Sequence, residues 1–63
     1  MAKEQTFLTV SQVAARYGVH RASVWRWHRD LTDFPRAIRL APGTVRWRLS
    51  DLQSWENNQV ESA

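Results

Sequence analysis

At 63 residues with no cysteine, the chain has room for one small domain and no means of pinning it with disulfides or a thiolate metal site. No apolar run approaches the roughly 20 residues of a membrane span, and no signal-peptide pattern opens the chain. Nine lysines and arginines against six acidic residues give a net charge of +3 and a pI of about 10.7, and eight of the nine basic residues are arginine. Their distribution is uneven. Residues 16–48 hold eight arginines against Asp30 and Asp33, a local charge of +6, whereas residues 49–63 hold Asp51, Glu56 and Glu61, a local charge of −3. A basic middle and an acidic tail suggest one positive face aimed at a polyanion, with a solvated basic surface as the bland alternative. Arginine presents a planar fork of donors that fits phosphates and the guanine edge, which tilts the reading toward nucleic acid.

Residues 1–6 read as a flexible N-terminal arm, residues 7–58 as the folded domain and residues 59–63 as a flexible tail. In "FLTVSQVAARYG", Thr9 and Gln12 have the spacing of a capping box, and Leu8 and Val13 that of a hydrophobic staple. Val10, Val13, Ala14 and Tyr17 form one stripe, and Gly18 supplies a left-handed stop, so the first helix spans residues 10–17. "HRASVWRWHRDL" carries a second stripe, with Val24, Trp27 and Leu31 inward and Ala22, Trp25, Arg26 and Arg29 outward. This predicts a helix over residues 21–30 with a weak cap, because His20 is a poor capping residue.

"TDFP" breaks the helical pattern, since Pro35 pushes Phe34 toward extended geometry. "RAIRL" and "VRWRL" then alternate around "APGT". Ile38 and Leu40 share one face, Val45, Trp47 and Leu49 another, and Arg39, Arg46 and Arg48 point away. Pro42 and Gly43 suit a type II turn, which is not the favoured tight hairpin turn, so a longer loop is an alternative. The pattern predicts a two-stranded wing over residues 37–40 and 45–48. In "SDLQSW", Ser50 and Gln53 repeat the capping box, Asp51 favours the positive helix end, and Leu52 and Trp55 face inward, predicting a helix over residues 51–58.

Two short helices joined by a Gly-containing turn are the elements of a helix-turn-helix. Ala14, Gly18 and Val24 have the Ala-x3-Gly-x5-Val spacing that resembles the signature of DNA-binding helix-turn-helix proteins. The longer stretches "FLTVSQVAARYGVHRASVWRW", "FPRAIRL" and "TVRWRLSDLQSW" resemble the AlpA family of small phage and prophage regulators, within the excisionase and MerR-like winged-helix group. The resemblance covers residues 7–56, and "VRWRLSDLQSW" is its most specific part. His20 stands where such proteins often carry serine, and Trp25 where tyrosine is common.

The resemblance implies a mainly α winged helix-turn-helix with three short helices and a small β-hairpin wing. It implies a sequence-specific regulator of a phage, prophage or mobile element, acting on double-stranded DNA in the bacterial cytoplasm, at the nucleoid. The second helix would be the recognition helix, presenting His20, Arg21, Ser23, Trp25, Arg26 and Arg29. Arg21 can fork onto a guanine or clamp a phosphate, Ser23 can reach a base edge or a phosphate, and Arg26 and Arg29 would meet phosphates. Trp25 can pack on a thymine methyl or the sugar backbone, or instead on the wing or a partner. The wing would contribute Arg39, Thr44, Arg46 and Arg48. Trp27, Trp47 and Trp55 read as core. Arg16 suits the dipole at the end of the first helix, and Arg36 has no evident role.

One recognition helix buries little surface, so several copies or a homodimer on repeated sites are expected. An excisionase-like architectural factor working beside an integrase would use the same chemistry. A protein-interaction module is the reading from another class: Trp25 and the acidic tail around Glu56 and Glu61 would meet an integrase or an RNA polymerase subunit. No catalytic constellation, metal site or cofactor motif is visible, because no nucleophile stands beside a base and His20 and His28 lack a third ligand.

Overall fold

The computed structural model describes residues 6–59, and its elements are β1 (Phe7–Leu8), α1 (Val10–Tyr17), α2 (Arg21–Asp30), β2 (Ile38–Ala41), β3 (Thr44–Arg48) and α3 (Leu49–Asn58). Helix α1 starts where the capping box predicts: the Gln12 amide donates to Thr9 Oγ1 at 3.1 Å and the Thr9 amide to Gln12 Oε1 at 2.8 Å. Two of the amides left over at the helix start are thereby satisfied. The helix ends on Gly18, whose φ of 66° lies in the left-handed region that glycine enters without a Cβ penalty. The Gly18 amide then donates to the Ala15 carbonyl and the Val19 amide to the Ala14 carbonyl, a Schellman closure.

The turn leads directly into α2, and here the weak cap expected of His20 is corrected. Its backbone is extended and its Nδ1 accepts the Ala22 amide at 3.0 Å, so the imidazole does the work of a capping oxygen. Leu31, predicted on the inner face, is instead exposed. The helix stops at Asp30, and the extended backbone of Leu31 turns its side chain off the stripe. Arg36, without a role in the sequence, donates from Nη1 to the His28 carbonyl at 2.9 Å and satisfies one of the carbonyls freed at the end of α2.

The wing strands sit within one residue of their predicted bounds, and Pro42–Gly43 form a two-residue connection with Gly43 at φ 76°, as a type II turn requires. A longer loop is unnecessary because the ladder absorbs the mismatch: Arg39 pairs with Val45 and Ala41 with Thr44, which leaves Leu40 as the extra residue of a bulge. The bulge rotates Leu40 off the face that alternation assigns it beside Ile38 and leaves it 50% exposed. The register, with Ile38 opposite Arg46 and Arg39 opposite Val45, places Arg39 and Arg46 on opposite faces rather than in one outward set.

A third strand was not foreseen. β1 pairs antiparallel with β3, with Phe7 opposite Arg48 and Leu8 opposite Trp47, giving the order β1-β3-β2. It also corrects the start of α3. The Leu49 amide donates to the Thr6 carbonyl at 2.8 Å, so the helix can begin at Leu49, directly from β3, without a side-chain cap. Ser50 therefore lies inside the first turn and makes no capping bond.

The core is Val13 and Ala14 from α1, Val24 from α2, Phe34 from the connecting loop, Trp47 from β3 and Leu52 from α3. Ala14 and Val24 are the two buried members of the Ala-Gly-Val spacing, which fits close approach of α1 and α2. Aromatic rings close the remainder. Trp55 meets Phe34 edge-on at 4.9 Å, and Trp27 lies 5.9 Å from Tyr17 and 5.8 Å from Phe34.

Helices α1 and α3 are clamped by Glu56. Arg16 donates to it from Nε at 2.6 Å and Nη2 at 2.8 Å, and the Tyr17 hydroxyl donates at 2.5 Å. Arg16 stands in the last turn of α1, where a cation suits the helix dipole, and pairs with this carboxylate as well. The Arg16 fork, aided by the Tyr17 hydroxyl, holds the Glu56 carboxyl below the usual carboxylate range, while burial and then Glu56 push the Tyr17 phenol up to about 12. For a carboxyl lowered in the folded state, the stabilisation is complete above its unfolded value of about 4.5 and is lost as pH falls through the folded value. For a phenol raised in the folded state, it is complete below about 10 and is lost toward about 12. The pair is partly open to water, so Glu56→Gln should cost only about 1 kcal/mol at neutral pH. Urea melts should show that the variant has a flatter acid limb than the parent; parallel acid limbs would mean that other carboxylates carry the acid sensitivity.

Candidate nucleic-acid interface

The outer side of α2 and the wing are joined through aromatic rings. Trp25 leaves α2 and rests on Trp47 of β3, with ring centroids 5.2 Å apart, and His28 packs edge-on against both, 5.7 Å from Trp25 and 5.9 Å from Trp47. Of the two roles open to Trp25, packing on the wing is met in the fold, yet 42% of the residue stays exposed beside the arginines. Burial, with a contribution from the Arg36 guanidinium, lowers the His28 imidazole below its ordinary value, so it stays neutral at physiological pH within this apolar seam.

The predicted contact arginines fall into three groups. Arg21, Arg26 and Arg39 are exposed and, among the described residues, have no carboxylate within ion-pair distance and no acceptor for their guanidinium groups. Arg29 and Arg48 lie beside carboxylates: Arg29 forks onto Asp30 at 2.8 and 3.2 Å, and Arg48 lies 3.5 Å from Asp51, three residues on in α3. Arg46 is half-buried and lies along its own strand, donating to the Val45 carbonyl at 2.8 Å. Ser23 and Thr44 are half-buried, at the start of α2 and of β3 respectively. His20 is exposed, and because its Nδ1 accepts the capping bond, Nε2 is left as the ring's donor.

The electrostatics of α2 are informative. Its first turn carries Arg21 and no acidic residue, although a helix start favours negative charge. The positive end of the dipole and a free guanidinium therefore coincide at one exposed site, an arrangement unfavourable to the isolated helix and favourable to an anion.

The acidic-tail reading loses one of its two residues, because Glu56 is committed to Arg16 and Tyr17; Glu61 lies outside the described residues. Asp30 flanks the outward face of α2 together with Ser23 in the helical pattern, but its pairing with Arg29 is not among the sequence expectations. Its spacing from Arg26, one helical turn, was the available signal that it joins these arginines. Among the described residues, no three His, Cys, Asp or Glu side chains gather where they could hold a metal ion, and no helix is long and apolar enough to cross a membrane.

No curated protein and no solved structure matches the chain. The family model described as Prophage CP4-57 regulatory protein (AlpA) does match, over residues 6–60. That span runs from the carbonyl of Thr6 that receives Leu49, through both helices of the helix-turn-helix and the wing, to the end of α3. The chain therefore belongs to the AlpA family of phage regulatory proteins.

Proposed function

We propose that this protein binds double-stranded DNA through α2 and the β2–β3 wing and acts as a sequence-specific transcriptional regulator of a phage, prophage or mobile element. The observation that carries this reading is the free guanidinium group of Arg21 at an uncompensated helix start. Arg21 begins α2 with no acidic residue in the first turn, and Arg26 and Arg39 add exposed charge without partners among the described residues. Membership of a phage regulatory family supports it.

In this reading the N-terminal half of α2 enters the major groove. His20 Nε2, Arg21 and Ser23 face base edges or phosphates, Arg26 holds the backbone, Arg29 reaches it only in competition with Asp30, and the exposed edge of Trp25 lies against sugar or a thymine methyl. The wing follows the neighbouring backbone with Arg39, Thr44, Arg46 and Arg48. Because Trp25 and His28 pack on Trp47, helix and wing approach the duplex as one rigid unit. A single module of this kind covers about 600–1,000 Å², which favours several copies on repeated half-sites.

The test is selection from random duplex DNA with the purified chain, followed by binding to the enriched site across a salt series. An enriched motif whose affinity falls steeply with salt is the expected result. Salt-sensitive binding without enrichment would replace the regulator reading with an architectural role beside an integrase. Absence of duplex binding would overturn the DNA reading and favour a protein partner.

A further inference from the structure

Asp30 has no evident task in the fold. It is the last residue of α2, where a carboxylate meets the negative end of the helix dipole and a basic residue would be favoured. It caps nothing, because the closing bond of the helix runs from the Leu31 amide to the Trp27 carbonyl. Its side chain is exposed, as is that of Arg29, so the pair adds little to stability. Yet both carboxylate oxygens are used, one by Arg29 Nε and the other by Nη2. Arg29, and after it Arg26, hold the Asp30 carboxyl below its ordinary range, so it is fully ionised wherever the protein works. Asp30 is thus the paired carboxylate of Arg29, one helical turn from Arg26, at the C-terminal end of the proposed DNA face.

A carboxylate and a phosphate offer the same guanidinium fork the same paired acceptors. We propose that Asp30 is an internal competitor of DNA phosphate: it occupies Arg29 and screens Arg26, and it weakens the grip of α2 on any duplex, whatever its sequence. The inference rests on the DNA reading and deepens it, by naming a residue that sets the sequence-independent part of the affinity. Non-specific binding is almost wholly a phosphate contribution, so one masked arginine bears on it directly. The residue acts through Arg29 and Arg26 and is a positioning residue, not a DNA contact.

The experiment compares Asp30→Asn with Asp33→Asn. Both remove one negative charge, but Asp33 lies beyond the end of α2 and its side-chain partner is Gln59 at 3.4 Å. Affinity for a duplex of arbitrary sequence is measured across a salt series, and circular dichroism checks that both variants are folded. Asp30→Asn should bind several-fold tighter than the parent, with the slope of log affinity against log salt steeper by about 0.9, the value of one added phosphate contact. Asp33→Asn should keep the parent slope. Equal behaviour of the two variants would reduce the effect to net charge and overturn the proposal, as would an unchanged slope in Asp30→Asn. If neither parent nor variants bind duplex, the DNA reading fails. Elution from immobilised heparin, a sulfated polyanion, then decides Asp30 separately: later elution of Asp30→Asn than of Asp33→Asn supports the competition, and equal elution overturns it.

Discussion

Trp47→Ala should leave most of the chain unfolded in buffer at room temperature. Trp47 is fully buried, the largest such side chain in the core, and touches Trp25, His28 and Phe34. Its indole N–H donates to the Pro35 carbonyl at 3.1 Å, which ties β3 to the loop before the wing. Truncation of a buried tryptophan costs about 3–5 kcal/mol, and a carbonyl left without its donor adds about 1 kcal/mol. A domain of this length has only about 3–9 kcal/mol in total. Circular dichroism through a urea titration reads the outcome. Trp47→Phe, which keeps a ring but not the donor, should fall between parent and alanine variant. An alanine variant melting within 1 kcal/mol of the parent would mean that Trp47 is not the keystone of this core.

The second large effect concerns the proposed interface. Reversing the charge of Arg21 and Arg46 together should lower affinity for the selected duplex at least about a hundredfold, since each removes a contact worth about 1–3 kcal/mol and substitutes repulsion. The salt slope should fall by about 0.9 for each arginine that meets a phosphate. Arg21 is exposed and without a partner among the described residues, so the fold should tolerate its change. Arg46 is half-buried against its own strand, so the double variant is compared with Arg21→Glu alone, and both are checked by circular dichroism. Folded variants with parental affinity would remove α2 and the wing from the DNA face and favour a protein partner.

The two effects are connected through Trp25. Because its ring rests on Trp47, loss of the core tryptophan also frees the angle between α2 and the wing. A folded but DNA-weak Trp25→Ala, with binding restored in Trp25→Phe, would be the signature of that brace.

Local signals were legible where the chemistry lies within one turn of chain. The bounds of α1 and α2 follow from Thr9, Gln12 and Gly18 and from the stripe through Val24 and Trp27. The turn at Pro42–Gly43 follows from one fixed φ and one positive φ, and the inward placement of Trp47 and Leu52 from periodicity. The uneven charge was equally plain, since arginines can be counted without coordinates. Family membership came from these same segments.

What could not be read are the features that need a partner distant in sequence. A two-residue strand has no periodicity to detect, and β1 exists because β3 offers it a ladder. That ladder supplies the Leu49 amide with an acceptor, and so moved the start of α3 away from a plausible Ser50 cap. Leu40 alternates correctly in the sequence, and a bulge in the pairing turns it outward. Glu56 resembled a free acidic tail until α3 brought it to Arg16, forty residues away. Residue types and local spacing specify which helices form and which charge the protein shows. Which arginines stay free for a ligand, and which are spent on a carboxylate, depends on contacts that exist only once the chain has closed on itself.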